Sequence, residues 1–229
     1  MYNCITIKEE KYFIMKILAI NGSPRKNNNT AILLKHAMDG AESKGAETEI
    51  LHLYDLNFKG CVSCFSCKLK NCAKPGICLY KDDLTPVLEK AMEADAIILG
   101  SPIYFESVTG EMRSFLERLM FPVLTYTEGY KSLLERKIPI GFIYNMNVTN
   151  SFMKEANYNS ALKFAEMDLE RLFGYCESLS VNDTLQFNDY SKYVVTVFDE
   201  NKKKQVQKEQ FPKDCENAFA LGVNLIEQL

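Results

Sequence analysis

An almost wholly apolar run, Lys16-Ile17-Leu18-Ala19-Ile20-Asn21, breaks into Gly22-Ser23-Pro24 and then, from Asn29 or Thr30, into helical spacing. Six residues are too few for a buried helix, and the run leaves neither face for water, so it reads as a buried strand of a parallel sheet. The helix that follows carries Ile32, Leu33, Ala37, Met38 and Ala41 on one stripe, with Gly45 as its stop. The same alternation recurs down the chain. Glu47–Leu53 alternates as an edge strand does, Leu84–Met92 is helical, and Ala94–Gly100 is a second buried strand. Thr109–Met120 is an amphipathic helix. Pro139 cannot sit inside a central ladder, so the next strand starts there and runs through Ile140–Tyr144. Met153–Phe173 reads as one long helix, Tyr175–Val181 as a fifth strand and Asn217–Leu229 as a closing helix, while 182–212 resist assignment and are expected to pack across the surface. Strands alternating with helices imply an α/β fold, a parallel sheet covered on both faces. Five strands favour the doubly wound order 2-1-3-4-5.

No repeat, low-complexity tract or linker divides the 229 residues. We expect one domain over 15–229 and an N-terminal extension over 1–14, because a second methionine, Met15, opens the first strand. A net charge of −3 and a pI near 5.6 argue against a nucleic-acid surface, which needs a basic face. The one dense basic run, Lys202-Lys203-Lys204, is flanked by Glu200 and Glu209 and reads as a solvated helix or loop. No apolar run reaches the roughly 18 residues of a membrane span. Lys8, Glu9, Glu10 and Lys11 break any signal-peptide core, so the expected compartment is the cytoplasm.

A doubly wound sheet binds ligands beyond the carboxyl ends of its strands, where the strand order reverses. Here that point lies between the first and third strands, at the loops Asn21–Thr30 and Ser101–Val108. The first loop is rich in small residues and donors and opens directly into a helix. Ser23, Asn29, Thr30 and the first helical N–H groups would converge on one anion, with Arg25 and Lys26 adding charge nearby. Gly-Lys-Ser/Thr is missing, so this is no Walker loop, and G-x-G-x-x-G is missing too. The fitting occupant is a terminal phosphate monoester. A plain turn with an Asn cap is the alternative.

Five of the eight cysteines, Cys61, Cys64, Cys67, Cys72 and Cys78, fall within a loop spanning 59–83. In a chain without a secretory signal, such a cluster points to a metal or redox site. Cys61-x₂-Cys64-x₂-Cys67 supplies three corners of a cubane, whereas structural zinc more often takes two separated pairs. Cys72 and Cys78 compete as the fourth ligand, and reduced thiols in a substrate lid are the other reading. Cys4, Cys176 and Cys215 stand alone, and Cys176 reads as a small core residue.

Asn21-Gly22-Ser23-Pro24-Arg25 followed by Asn29-Thr30 resembles the phosphate loop of the NADPH-dependent FMN reductases and iron–sulfur flavoproteins, a flavodoxin-like superfamily. Gly100-Ser101-Pro102-Ile103-Tyr104-Phe105, with Val108-Thr109-Gly110 opening a helix, resembles the same family's flavin-ring loop. The resemblance covers roughly residues 15–145. It implies FMN as cofactor, phosphate on Ser23, Arg25, Asn29 and Thr30, and the flavin ring on Pro102, Ile103, Tyr104 and Phe105. It makes Asn145-Met146-Asn147 a third wall, and NAD(P)H a substrate. Iron–sulfur flavoproteins of this kind carry C-x₂-C-x₂-C followed by a fourth cysteine. Cys78-Leu79-Tyr80-Lys81-Asp82-Asp83 matches the element next to that ligand, while Cys72 matches its short spacing. A [4Fe-4S] cluster is therefore implied on Cys61, Cys64, Cys67 and Cys78, with Cys72 as the alternative fourth. Homologous reductases also imply a homodimer or homotetramer.

No G-x-S-x-G, triad or H-E-x-x-H is present, and the two histidines, His36 and His52, have no acidic partner in sequence. Asp82 and Asp83 read as caps of the helix near Leu84, and Glu111 and Arg113 as solvated positions. No protein acid or base is then expected, since the flavin carries the chemistry. Two functions follow from the resemblance. One is an enzyme passing electrons from NAD(P)H through FMN to a small-molecule or protein acceptor. The other is an iron–sulfur flavoprotein carrier fed by ferredoxin.

Overall fold

The computed structural model describes residues 14–229; the N-terminal extension, with Cys4, lies outside the described residues apart from exposed Ile14. The first apolar run is strand β1 (Lys16–Asn21), and α1 (Asn29–Glu42) and edge strand β2 (Glu47–His52) follow it. Then come α2 (Thr85–Glu93), β3 (Ala96–Tyr104), a two-residue strand β4 (Ser107–Val108), α3 (Gly110–Val123) and β5 (Ile140–Asn145). The chain ends through α4 (Asn150–Glu155), α5 (Tyr158–Phe173), β6 (Cys176–Val181), α6 (Glu200–Glu209) and α7 (Phe211–Ile226).

Five strands form a parallel sheet in the order β2-β1-β3-β5-β6, the flavodoxin-like order expected. A sixth, β4, pairs antiparallel with the end of β3, joining Ile103 to Val108 and Tyr104 to Ser107. The segment 101–108, expected as a loop, is therefore a hairpin. Its turn residues Phe105 and Glu106 both have positive φ, 49° and 67°, the backbone of a type I′ turn. Two further expectations change. The helix expected over 153–173 is broken at Asn157, which sits in the left-handed region at φ 58°. The unassigned stretch contains α6. On that helix Lys203 is buried rather than solvated, paired with Asp183.

Alternate residues of β1 feed two cores. Leu18 and Ile20 join Leu99 and Phe142 under α2, α3 and α5, while Ile17 and Ala19 join Ile98 and Ile143 under α1 and α7. On α1 the buried stripe is Leu33, Leu34, Ala37 and Ala41, and Ile32 turns to solvent. Helices α1 and α7 approach very closely: a Cβ on Gly222 would stand 1.8 Å from the Ala37 carbonyl oxygen. Backbone cannot yield there as a side chain would. Gly222→Ala should therefore lower stability by about 2 kcal/mol: overpacking costs about 1–3 kcal/mol, sometimes more, against roughly 1 kcal/mol gained in helix propensity. The urea unfolding midpoint measures the loss. Among the described residues no helix is long and apolar enough to cross a membrane.

Candidate functional site

A cleft opens beyond the carboxyl ends of β1, β3, β5 and β6, where the strand order reverses. Ser23, Arg25, Asn28, Asn29 and Thr30 line one side, Pro102, Ile103 and Tyr104 a second, and Asn145–Asn147 with Thr184–Gln186 a third. Seven of the eight residues assigned to the cofactor by resemblance are thus brought together. The eighth, Phe105, stands fully exposed at the hairpin tip and does not line the cleft.

The first side is built by the turn after β1. The Ser23 amide donates to the Asn21 side chain at 2.8 Å, and the Arg25 amide donates to the Ser23 hydroxyl at 3.1 Å. Gly22 donates its N–H to the Gly100 carbonyl at 2.8 Å, tying the two loops together. A Cβ on Gly22 would stand 2.9 Å from Met112, so only glycine allows this approach. The Thr109 hydroxyl donates to the Gly22 carbonyl at 2.7 Å while accepting from Met112 N–H at 3.3 Å, capping α3 and bracing the turn at once. Helix α1 is different. Its N-cap residue Asn28 makes no side-chain cap bond, and its first turn holds no acidic residue. The orphan N–H groups and positive dipole end of α1 are thus left for a ligand. Lys26 is paired with Asp55, so of the two basic residues Arg25 is the one that faces the cleft.

The third side was only partly foreseen. Asn145 accepts from buried Thr30, the Arg25 guanidinium donates to the Gln186 carbonyl at 2.6 Å, and Asn29 donates to the Leu185 carbonyl at 3.0 Å. Thr184, Leu185 and Gln186 lie in irregular backbone with no periodicity to mark them. Within the wall, buried Asn147 Oδ1 has no hydrogen-bond partner.

The cysteine loop packs on α3. Cys61, Cys64, Cys67 and Cys78 line one small cavity with Arg118 and Phe121, and Cys72 lies outside it. The cavity holds about 10 Å³, enough for one water. Ser63 and Phe65, between the cysteines, take positive φ of 53° and 57°. All seven described cysteines are free thiols. A hydrogen bond from Ser66 holds the exposed Cys64 thiol below its ordinary pKa, and burial pushes Cys67 up. No three His, Cys, Asp or Glu among the described residues converge on a single ion. A cubane asks for something else, because each thiolate ligates its own iron and the sulfurs stay apart. Four thiols around one cavity, with the buried Arg118 Nε–H lacking an acceptor, form a donor set of the right chemistry for an anionic cluster, but the space between them takes only a water as it stands.

Arg118 also changes the reading of the two aspartates. Asp82 does accept from Leu84 N–H at 3.0 Å, but its other oxygen pairs with Arg118 at 2.5 Å. Asp83 accepts from the Asn57 amide at 2.8 Å and caps nothing in α2. Away from the cleft, burial and the neighbouring Glu166, Glu170 and Glu177 push Cys176, a half-buried thiol, up to about 12.

Comparison with known proteins adds to this geometry. The sequence model of the NADPH-dependent FMN reductase family matches residues 15–147. An iron–sulfur flavoprotein of Archaeoglobus fulgidus is 47% identical over 104 residues, covering 45% of this chain and 48% of that protein. Another, from Methanocaldococcus jannaschii, is 38% identical over 104 residues, covering 45% and 51%. The chain spans about half the length of these curated relatives. Among solved structures, the NAD(P)H:quinone oxidoreductase from Methanothermobacter marburgensis superposes with a TM-score of 0.66 at 15% identity, covering 93% of this chain and 100% of that one. An azoreductase from Bacillus anthracis gives 0.63 at 15% identity, covering 92% and 100%. At such identity these likenesses speak to the fold.

Proposed function

The chain belongs to the NADPH-dependent FMN reductase family, and from that premise we propose that it binds FMN in the cleft beyond β1 and β3 and passes electrons from NAD(P)H through the flavin to a small-molecule or redox-protein acceptor. The observation that carries this is the uncapped N-terminus of α1, facing Ser23, Arg25, Asn29 and Thr30 at the point where the strand order reverses. FMN, when bound, supplies the redox chemistry. The chain's own residues bind and orient. Ser23, Thr30 and the first amides of α1 hold the phosphate, with the Arg25 guanidinium balancing its charge. Pro102, Ile103 and Tyr104 carry the ring. Phe105, at the tip of the same hairpin, is available to an acceptor or a neighbouring subunit.

Flavin-free protein titrated with FMN should quench flavin fluorescence with saturation at one equivalent, whereas riboflavin, which lacks the phosphate, should bind far more weakly. Anaerobic NADH or NADPH should then bleach the flavin absorption. Equal affinity for riboflavin and FMN would sink the phosphate assignment.

A second reading, an electron carrier with a [4Fe-4S] cluster on Cys61, Cys64, Cys67 and Cys78, is favoured by one observation: those four thiols share a cavity that Cys72 does not reach. The iron–sulfur flavoproteins among the relatives support it. Anaerobically prepared protein would carry close to four irons and four sulfides per chain, and its flavin would bleach with a ferredoxin system but not with pyridine nucleotide. We expect a homo-oligomer, as the family resemblance implies.

A further inference from the structure

We infer that Lys203 is a positioning residue of the flavin cleft, clipping its third wall shut and so setting how long FMN stays bound; the inference rests on the FMN reading above. Helix α6 is polar along nearly its whole length, and its one buried residue is Lys203, only 3% exposed. A buried ammonium is costly unless it is fully partnered. Lys203 is partnered twice, donating to the Asn147 carbonyl and to the Asp183 carboxylate, with the Phe198 ring 4.9 Å away.

Those two acceptors belong to the two segments that form the wall. Met146 N–H donates to the Val181 carbonyl at 2.9 Å and Thr184 N–H to the Met146 carbonyl at 3.1 Å. Asp183 N–H donates to the Val148 carbonyl at 2.8 Å, and Asn147 donates to the Gln186 side chain at 2.8 Å. Asp183 itself is held at φ 58°, a left-handed conformation that surrounding contacts must impose on a non-glycine residue. From this wall the Gln186 and Leu185 carbonyls reach across to Arg25 and Asn29 on the phosphate side. The clip thus acts on the phosphate end of the cleft through two bonded strands of backbone. Residues 181–209 also lie beyond the stretch matched by the family model.

Removing the ammonium leaves the Asp183 carboxylate and the Asn147 carbonyl unpartnered, and the wall is free to swing from Arg25 and Asn29. Lys203→Met is expected to raise the FMN dissociation rate at least tenfold, read by the recovery of free-flavin fluorescence when the full-length flavin complex is diluted far below its dissociation constant. The association rate should stay close to that of the unaltered protein. Lys203→Arg, which keeps the charge and the donors, should recover most of the slow dissociation. Asp183→Asn removes the ion pair without changing shape and should also speed release, which keeps the test open if Lys203→Met fails to fold. Lys204→Met, on the exposed face of α6, serves as the control and should leave release unchanged. A role confined to holding α6 would lower the melting temperature of flavin-free Lys203→Met while leaving FMN dissociation as it was; that result overturns the inference. Failure of the unaltered protein to bind FMN overturns the reading beneath it as well.

Discussion

Asn28→Asp should weaken FMN binding by about 100-fold while making the flavin-free protein more stable. Asn28 already has the extended backbone of an N-cap, φ −104° and ψ −168°, yet its side chain caps nothing. A carboxylate there accepts readily from the next amides and complements the positive end of α1, which is worth about 1 kcal/mol. Once a phosphate occupies the same place, the carboxylate becomes a like charge. Two unit charges about 4 Å apart at an effective dielectric of 20 repel by roughly 4 kcal/mol, and a hundredfold loss asks for only about 2.7 kcal/mol. The two effects have opposite signs, which makes the test selective. A loop that is merely a turn would gain the stability and lose nothing. Calorimetric melting of the flavin-free protein and an FMN titration read the two numbers, and unaltered FMN affinity in Asn28→Asp would move the phosphate away from α1.

What could be read from the residues in order, and what could not, divides along physical lines. The turn from Asn21 to Thr30 was legible because an unbroken apolar run gives way to helical spacing across a stretch of Gly, Ser, Pro and Asn. The order of the five parallel strands followed from their alternation with helices. The β3–β4 hairpin was not legible. Its turn residues, Phe105 and Glu106, adopt positive φ without the Gly, Asn or Asp that normally announces it. Asn157 is the opposite case: an asparagine did mark the break between α4 and α5, but the apolar spacing on both sides concealed it. Lys203 was hidden by its own neighbours, since a run of three lysines reads as solvated until a partner such as Asp183 is brought to one of them. The wall at 184–186 owes its place to hydrogen bonds from residues more than 150 positions away, which no local pattern encodes. Spacing alone could not choose between Cys72 and Cys78, and tertiary placement puts Cys78 on the shared cavity.

Arg118 ties both ends of the cysteine loop to α3, beside the bonds from Cys61 N–H to Glu117 and from Lys68 to the Phe121 and Leu124 carbonyls, and Arg118→Met should expose its share. Arg118 emerges from α3 and is completely buried, with one guanidinium nitrogen donating to the Lys59 carbonyl at 3.1 Å and to Asp82 at 2.5 Å. The other donates to the Tyr80 carbonyl at 2.6 Å, and the Tyr80 ring lies 5.4 Å away. Lys59 begins the cysteine loop, and Tyr80 and Asp82 end it. A single guanidinium therefore holds both ends of a segment that has little regular structure beyond one short turn at Ser66–Lys68. Methionine fills much of the volume but leaves Asp82, whose side chain is 13% exposed, without its counter-ion. Breaking a buried pair on one side costs about 3–5 kcal/mol, and the partial exposure of Asp82 places the expected loss near the lower end, about 3 kcal/mol. Because α3 and the sheet have their own core, the loop should give way first. Cys78, buried in the intact protein, should then react with a thiol reagent in the time taken by exposed Cys64, as peptide mass spectrometry resolves. Arg118→Lys restores a charge for Asp82 but cannot span both carbonyls, and should fall between. If Arg118→Met unfolds at the same urea concentration and still protects Cys78, the loop is held by its own packing, and the grouping of Cys61, Cys64, Cys67 and Cys78 needs another cause.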